Sequence, residues 1–318
     1  MTSLRSALKS ATALAAFSLS FPLASWAEEP LPVVATFSIL GDMVERIGGE
    51  HIALTTLVGP DGDAHVYQPT PKVARSVAEA DVLFLNGLEF EGWLERLAEA
   101  ASFGGAMVVA TKGVVPIAFD DHDDHDNHDE HDDHDDHAGH DHGAFDPHAW
   151  QSLENAVIYA NNIAAGLAQA DPENAGDYYA NRAAFITEVE TLRADIGAMM
   201  KSLPADKRTV VTPHDAFGYF AATYDLTFVA PKGMSTDSEV SAADVAALIT
   251  QIREESISAV FIESITDNRM MQQIANETGA TIGGTLYSDA LSAQSGPAST
   301  YLDMMRHNAT TLFDALGN

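Results

Sequence analysis

Short runs of apolar and β-branched residues alternate with amphipathic stretches along the first half of the chain. Apolar runs of about five residues bounded by turn residues predict β-strands. They occur at 32–36, 53–58, 81–85 and 106–110. Helical patterns lie between them: Ser38 can cap a helix that ends at Gly48, Thr70 with Pro71 starts a second, and a third covers 91–101.

The second half of the chain repeats this alternation. Strands are predicted at 208–212, 226–230, 258–262 and 280–286, and helices at 241–255, 268–278 and 299–316. Four strands per half, each followed by a helix, are typical of α/β domains with parallel sheets. The pattern therefore predicts an α/β protein of two domains, each with a four-stranded, mainly parallel sheet flanked by helices.

A single helical pattern connects the two halves. It starts at Asp171-Pro172 and ends at Ser202, before Pro204. At 1.5 Å per residue it would be roughly 46 Å long, which predicts one long rigid α-helix joining the domains. The alternative is two helices broken near Thr191. The expected division is an N-terminal domain at 28–170, a linking helix at 171–203 and a C-terminal domain at 204–318.

Residues 1–27 have the pattern of a bacterial signal peptide. Arg5 and Lys9 give a positive start, an apolar stretch follows, and Ser25-Trp26-Ala27 has the small-x-small spacing of a cleavage site. The apolar stretch is shorter than the about 20 residues that a spanning helix needs, although a membrane anchor is the alternative. The chain contains no cysteine that could be lipidated. We therefore expect a soluble mature protein in the periplasm.

Residues 120–142 form an inserted segment of a different composition. It contains only Asp, His, Glu, Asn, Ala and Gly, with eight histidines, mostly at every third position. A segment without large apolar side chains cannot bury a core, which predicts a disordered loop. Histidines among carboxylates bind extra Zn²⁺ weakly. The loop could gather zinc, dock a metallochaperone, or only solvate a linker.

The formal net charge of the chain is −31. Such a surface repels nucleic acid and anionic lipid, and it attracts cations over long range. The acidic residues extend well beyond the inserted segment. The charge therefore excludes nucleic-acid partners and indicates solubility, without identifying a function.

Four ligand-type residues lie where strands end. His65 and His214 follow predicted strands, Asp289 follows the last strand, and His148 directly precedes a helix. In open α/β sheets, ligands bind at the carboxyl ends of the strands. Because two of these residues come from each half, a site built from all four would lie between the domains. Three imidazoles and one carboxylate suit tetrahedral Zn²⁺.

Two other histidines do not fit this arrangement. His51 precedes its strand and therefore belongs to the opposite edge of the sheet, and His307 lies in the middle of the last helix. We expect no function for either. Glu263, at the end of the strand 258–262, is a candidate partner for the second nitrogen of a ligand histidine. A helix-capping acid is the alternative.

Several segments resemble one known family. They are Gly-Pro-Asp-Gly-x-x-His at 59–65, Tyr67-Gln68-Pro69-Thr70-Pro71, Asn86-Gly87-x-Glu89-x-Glu91-x-Trp93, Asp146-Pro147-His148-x-Trp150, His214-Asp215-Ala216-Phe217 and Tyr287-x-Asp289. With them the chain resembles the cluster A-I solute-binding proteins of zinc and manganese ABC importers. It looks closest to the zinc-binding AztC-like and ZnuA-like members.

The resemblance implies a function and a set of ligands. It implies a monomeric periplasmic receptor that holds one Zn²⁺ between two domains, through His65, His148, His214 and Asp289, and delivers it to an ABC permease in the inner membrane. A periplasmic zinc metallochaperone is a further expected partner. Manganese-type members carry a carboxylate where this chain has His214, which favours Zn²⁺.

Two departures from the family pattern affect these expectations. Some zinc members have Glu before the first histidine, whereas this chain has Ala64, so Asp289 becomes the natural fourth ligand. The family's usual proline is absent from Glu239-Val240-Ser241, so the loop there departs from the family pattern.

We expect no enzymatic activity, because four protein ligands leave no position for an activated water. The remaining alternatives are a zinc hydrolase in which water replaces Asp289, and a zinc buffer or adhesin without a permease. For metal release, the loop at 59–65 and the segment around Ser288-Asp289 are the parts expected to move most freely.

Overall fold

The computed structural model describes residues 29–118 and 145–317. The predicted signal peptide at 1–27 and the His-rich segment at 120–142 lie outside these residues. Within the described part of the chain, no helix is both long and apolar enough to cross a lipid bilayer.

The first half forms one parallel sheet. Its strands are β1 (Leu31–Phe37), β2 (Ile52–Val58), β3 (Val82–Leu85) and β4 (Ala106–Val109), in the order β2-β1-β3-β4. The central strand β1 pairs with both neighbours, and Val33 lies opposite Leu54 on one side and Val82 on the other. Strands of a parallel sheet covered on both faces are apolar throughout, which explains why β1 and β3 read as continuous hydrophobic runs.

The second half forms a sheet of the same topology. Its strands are β5 (Thr209–Val211), β6 (Thr227–Val229), β7 (Ala259–Glu263) and β8 (Thr281–Leu286), in the order β6-β5-β7-β8. All pairs are parallel, with one register irregularity between Val260 and Ile262. The predicted class, two four-stranded parallel sheets flanked by helices, is confirmed.

Nine α-helices cover these sheets in the described residues. They are α1 (Ser38–Gly48), α2 (Pro71–Ala78), α3 (Leu94–Ala101), α4 (Leu153–Ala170), α5 (Ala175–Lys201), α6 (Gly218–Tyr224), α7 (Ala242–Glu254), α8 (Arg269–Thr278) and α9 (Tyr301–Leu316). Thr70 caps α2 as predicted, since its side chain accepts a hydrogen bond from the Val73 amide. Ser38 does not cap α1, because its hydroxyl instead accepts the Leu291 amide of the other half.

The long helix α5 is continuous through Thr191, so the alternative of two helices is excluded. It begins at Ala175, later than predicted, because Asp171 is engaged in a turn. The Asp171 carboxylate accepts the Asn174 amide and the Tyr178 hydroxyl. At 1.5 Å per residue, α5 is about 40 Å long. It contacts α1 and α4 of the first half and α6 and α9 of the second.

Helix α9 is anchored in the first half at its start. The Tyr301 hydroxyl donates to the Trp150 carbonyl at 2.7 Å, and the Tyr301 amide donates to Oδ2 of Asp42 on α1 at 2.9 Å. Tyr301 and Trp150 are both fully buried. These contacts join the second sheet to the first independently of α5.

The Asp42 contact predicts a pH-dependent stability. Burial raises the pKa of Asp42 from 3.8 to about 6, although the Tyr301 amide and Arg46 oppose the shift. A carboxyl whose folded-state pKa is raised costs stability when ionised, and this cost disappears as the pH falls toward the unfolded-state value. Asp42→Asn keeps the acceptor oxygen without the charge. We expect this variant to gain about 2 kcal/mol over the parent on going from about pH 4.5 to about pH 7.5.

Urea denaturation of both proteins at the two pH values measures this difference, because every other titrating group cancels between them. A stability difference that does not change with pH would show that Asp42 titrates normally.

Candidate metal centre

Four side chains converge between the two sheets. His65, His148, His214 and Asp289 each offer one ligand atom, and these atoms lie within 4.8 Å of one another. His148, His214 and Asp289 are fully buried, and His65 is half-buried. The structure thus brings together all four residues singled out from the sequence, with two from each half of the chain.

The loop after β2 places His65. The Asp63 carboxylate accepts the His65 amide at 2.9 Å, and the Trp93 indole donates to the Ala64 carbonyl at 2.8 Å. The other oxygen of Asp63 accepts the hydroxyl of Thr236 from the second half at 2.6 Å. Each sheet with its covering helices is called a lobe. The loop is therefore held by contacts within the first lobe and by a contact from the second lobe across the cleft.

His148 is held by a residue two positions earlier. One oxygen of Asp146 lies 2.8 Å from both the His148 amide and its Nδ1. This contact leaves Nε2 facing the cluster. The chain then enters a short 3₁₀ helix, Ala149–Gln151, before α4.

His214 follows β5, and Glu263 ends the neighbouring strand β7. Nδ1 of His214 lies 2.5 Å from the Glu263 carboxylate, which also accepts the His214 amide at 3.3 Å. The Ser288 hydroxyl donates to the same carboxylate at 3.0 Å. Glu263 thus orients His214, as carboxylates behind metal-binding histidines do, and it does not cap a helix.

Asp289 lies at the centre of the cluster. Its carboxylate oxygens are 3.2 Å from Nε2 of His65, 3.1 Å from Nε2 of His214 and 3.5 Å from Nε2 of His148. Two atoms bound to one tetrahedral Zn²⁺ lie about 3.3 Å apart, since zinc–nitrogen bonds are about 2.05 Å long. Three of the facing atoms have no hydrogen-bond partner among the described residues, namely Nε2 of His65, Nε2 of His148 and Oδ1 of Asp289. The Asp289 oxygens therefore lie from the three imidazoles at about the distance that a shared zinc ion requires, and the unpaired buried atoms suit a metal ion.

Opposite charges shift the proton affinities of the cluster. Burial alone lowers the pKa of His214, but Glu263 and Asp289 outweigh it and raise that pKa well above its usual value. For His148, burial lowers the pKa, whereas Asp289 and Asp146 raise it, with a net increase. Burial raises the pKa of Asp289, but His214 and His148 bring it well below its usual value. The centre favours a positive charge, so a proton and a metal ion compete for it.

Aromatic rings surround the imidazoles on the side of the first sheet. The Phe90 ring lies 4.8 Å from His65 and the Trp150 ring 5.3 Å from His148, centre to centre. Phe90 follows a turn at 87–89 in which all three residues have positive φ. The buried Glu91 carboxylate holds this turn, since it accepts the Asn86 and Gly87 amides and the Thr36 hydroxyl.

One opening leads toward the centre. A cavity of about 540 Å³ reaches His65 and is lined by Tyr67, Phe90 and Trp93 of the first half and by Met234 and Asp237 of the second. The cleft is therefore accessible from the His65 side.

His51 and His307 lie outside the cluster, as expected. Nε2 of His51 is 2.9 Å from Asp177 on α5, and the His307 ring is 3.0 Å from the Thr285 carbonyl. The sequence reasoning did not single out Asp146 as the partner of His148, although an acid two residues before a histidine can fold back onto it. It also missed Gln151 and Asn308, whose contacts with the Asp289 segment have no local sequence signal.

Known proteins with similar sequences are named as metal-binding or metal-transport proteins. The manganese-binding lipoprotein MntA of Halalkalibacterium halodurans is 30% identical over 289 residues, covering 91% of this chain and 89% of its own. The metal ABC transporter substrate-binding lipoprotein SloC of Streptococcus mutans is 29% identical over 296 residues, covering 91% of both. Relatives such as SloC are substrate-binding proteins of ABC transporters. This confirms the expectation that the chain is not an enzyme.

The fold has a solved counterpart. The periplasmic zinc binding protein TroA of Treponema pallidum has a TM-score of 0.81 and 26% identity, covering 92% of this chain and 100% of its own. A family model described as ZnuA, zinc-uptake complex component A periplasmic, matches residues 33–315. Because this match covers both sheets, the long helix and the whole four-residue cluster, the chain belongs to the ZnuA family.

Proposed function

We propose that this protein is the periplasmic receptor of an ABC importer, which captures one Zn²⁺ in the interdomain cleft and delivers it to the membrane permease. The observation that carries the proposal is the convergence of three imidazoles and one carboxylate, of which three facing atoms have no hydrogen-bond partner in the described part of the chain. His65, His148, His214 and Asp289 act as the metal ligands. The zinc is the transported cargo.

Zinc is favoured by the chemistry of the ligands. Three neutral nitrogens and one oxygen suit Zn²⁺, whereas Mn²⁺ prefers oxygen-rich, six-coordinate sites. The relatives include a manganese-binding protein and a zinc-binding protein, so family membership does not decide the metal. The nitrogen content of the centre supports the zinc-binding, AztC-like side of the family.

The site also suits capture rather than chemistry. Four protein ligands close a tetrahedral zinc site, which leaves no open position for an activated water. The ligands come from both lobes, so a bound ion would tie the lobes together. A receptor needs such a site, because its permease can then distinguish the loaded from the empty form.

The location and partners follow from the same proposal. Residues 1–27 act as the signal peptide, and the mature monomer consists of an N-terminal domain at 28–170, the linking helix at 171–203 and a C-terminal domain at 204–318. The MntA and SloC relatives are named lipoproteins, whereas this chain has no cysteine for lipid attachment. This difference supports a freely diffusing periplasmic protein. Its partners are the ABC permease and a periplasmic zinc metallochaperone.

Metal selectivity tests the proposal. We expect the parent to bind Zn²⁺ far more tightly than Mn²⁺, and His214→Glu to narrow the gap about tenfold, because it exchanges a nitrogen for an oxygen ligand. Competition titrations with a chromophoric chelator measure both affinities. His51→Glu is the matched control, since it introduces the same change outside the cluster. Equal affinities of the parent for the two metals would contradict the zinc assignment.

The His-rich segment at 120–142 is proposed to bind extra zinc weakly. Its eight histidines, interspersed with carboxylates, offer many interchangeable sets of ligands, and arranging a chain segment around a metal ion costs conformational entropy. We expect a protein lacking 120–142 to bind one Zn²⁺ as tightly as the parent, and only the parent to bind further ions. Isothermal titration with zinc compares the two stoichiometries. If the protein lacking 120–142 did not bind Zn²⁺ tightly, the principal zinc site would lie in that segment and not in the cleft.

A further inference from the structure

The segment that carries Asp289 leaves its sheet before it reaches the metal centre. Strand β8 ends at Leu286, so the peptide groups of Tyr287 and Ser288 have no ladder partner in the described sheet. Buried backbone groups must nevertheless be paired. Side chains from two separate elements, α9 and the 3₁₀ helix after His148, supply these partners.

Asn308 on α9 pairs with both polar backbone groups of Tyr287. Its Oδ1 accepts the Tyr287 amide at 2.9 Å, and its Nδ2 donates to the Tyr287 carbonyl at 2.7 Å. The side chain is 1% exposed. The buried side-chain amide of Asn308 therefore makes the hydrogen bonds that a neighbouring strand would make to Tyr287, which lies two residues before Asp289.

Ser288 is held from the opposite lobe. The Trp150 indole and the Gln151 amide each donate to the Ser288 carbonyl at 2.8 Å. Both side chains are fully buried, and they belong to the short helix that follows His148. The Ser288 hydroxyl bonds to Glu263. The residue before Asp289 is thus connected to the elements that hold two of the histidines.

We propose that Asn308, Gln151 and Trp150 are positioning residues that hold the Asp289 segment in the metal-binding position and thereby set the rate of zinc loss. This inference rests on the proposed function. The sequence predicts that the segment around Ser288-Asp289 moves freely, but four hydrogen bonds hold the backbone of Tyr287 and Ser288. The backbone that carries Asp289 can move away from the metal centre only when these bonds break.

Two substitutions test the role of these side chains. Asn308→Leu removes both bonds to Tyr287, and Gln151→Leu removes one of the two donors to Ser288. Asn162→Leu is the matched control, because Asn162 on α4 donates to the carbonyls of Ala110 and Lys112 at the end of β4. Its bonds hold a strand-end loop in the same way, but away from the metal centre.

Stopped-flow competition with a chelator measures zinc dissociation from each loaded protein. Removing a group behind a metal ligand changes affinity about 10- to 100-fold. We expect about tenfold faster dissociation from Asn308→Leu, a smaller increase from Gln151→Leu, and the parent rate from Asn162→Leu. If Asn308→Leu does not fold, Gln151→Leu decides the question.

A double-substitution cycle separates positioning from general loosening. If these side chains act through Asp289, Asn308→Leu and Gln151→Leu should not accelerate zinc loss further in an Asp289→Ala background. Equal acceleration in both backgrounds would overturn the inference, as would parent-like rates for both single variants. Failure of the proposed function looks different, because the parent itself would then bind no Zn²⁺ tightly.

Discussion

Replacing His214 by alanine should lower the affinity for Zn²⁺ on the order of 1,000-fold. Removing a group that only supports a ligand costs about 10- to 100-fold, and this substitution removes the ligand itself. It also leaves Glu263 fully buried without the imidazole at 2.5 Å. Glu263 keeps the Ser288 hydroxyl but loses its imidazole partner, and a buried carboxylate without its charge partner destabilises the fold.

His65→Ala is the informative comparison. It should cost a similar affinity, because it also removes one imidazole ligand. The carboxylate that contacts the His65 imidazole is Asp289, which keeps its contacts with the other histidines. We therefore expect metal-free His214→Ala to lose about 3 kcal/mol of unfolding free energy, and His65→Ala to lose clearly less. Chelator competition and urea denaturation give the two quantities, and full zinc affinity in either variant would remove that histidine from the ligand set.

Asp289→Ala should keep zinc bound but release it about 100-fold faster. Loss of a group that only supports a ligand lowers metal affinity about 10- to 100-fold, and loss of the ligand itself should cost at least as much as the upper value. Three imidazoles remain, and a water molecule can take the place of the carboxylate, which is the coordination of many zinc sites. The carboxylate also carries the negative charge nearest to the ion. Removal of the Asp289 carboxylate should therefore increase the rate of zinc dissociation more than it decreases the rate of zinc association.

Stopped-flow competition on loaded Asp289→Ala, beside Asp63→Ala, checks this expectation. Asp63 supports the His65 loop from behind, so its variant reports the effect of a lost carboxylate that is not a ligand. Zinc loss from Asp289→Ala that is as slow as from the parent would show that Asp289 contributes little to holding the ion.

The architecture could be predicted from the sequence because each strand and helix has its own local pattern. The runs at 32–36 and 258–262 became β1 and β7 with small shifts at their ends. The candidate ligands were found for a related reason. His65, His214 and Asp289 all follow strands, and parallel strands end at the same edge of a sheet.

The support around the ligands could not be predicted in this way. Asn308 and Tyr287 meet because α9 packs on β8, and Trp150 meets Ser288 across the two lobes. These partners have no fixed spacing, so no periodicity indicates them. The start of α5 was misplaced for a similar reason, since Asp171 can serve either a helix or a turn, and the Tyr178 contact selects the turn.

The anchoring of α9 in the first half has a consequence for how the protein is made. A ribosome produces the chain from its N-terminus, and His65 is synthesised more than two hundred residues before Asp289. The Asn308 contacts of the Asp289 segment form only after residue 308 has been made, and α9 starts against Asp42 and Trp150 from the first half. A partly synthesised chain therefore contains some of the histidine ligands but not the complete four-ligand metal site. The complete four-ligand site can therefore form only after the last helix has been made and has packed against residues made long before.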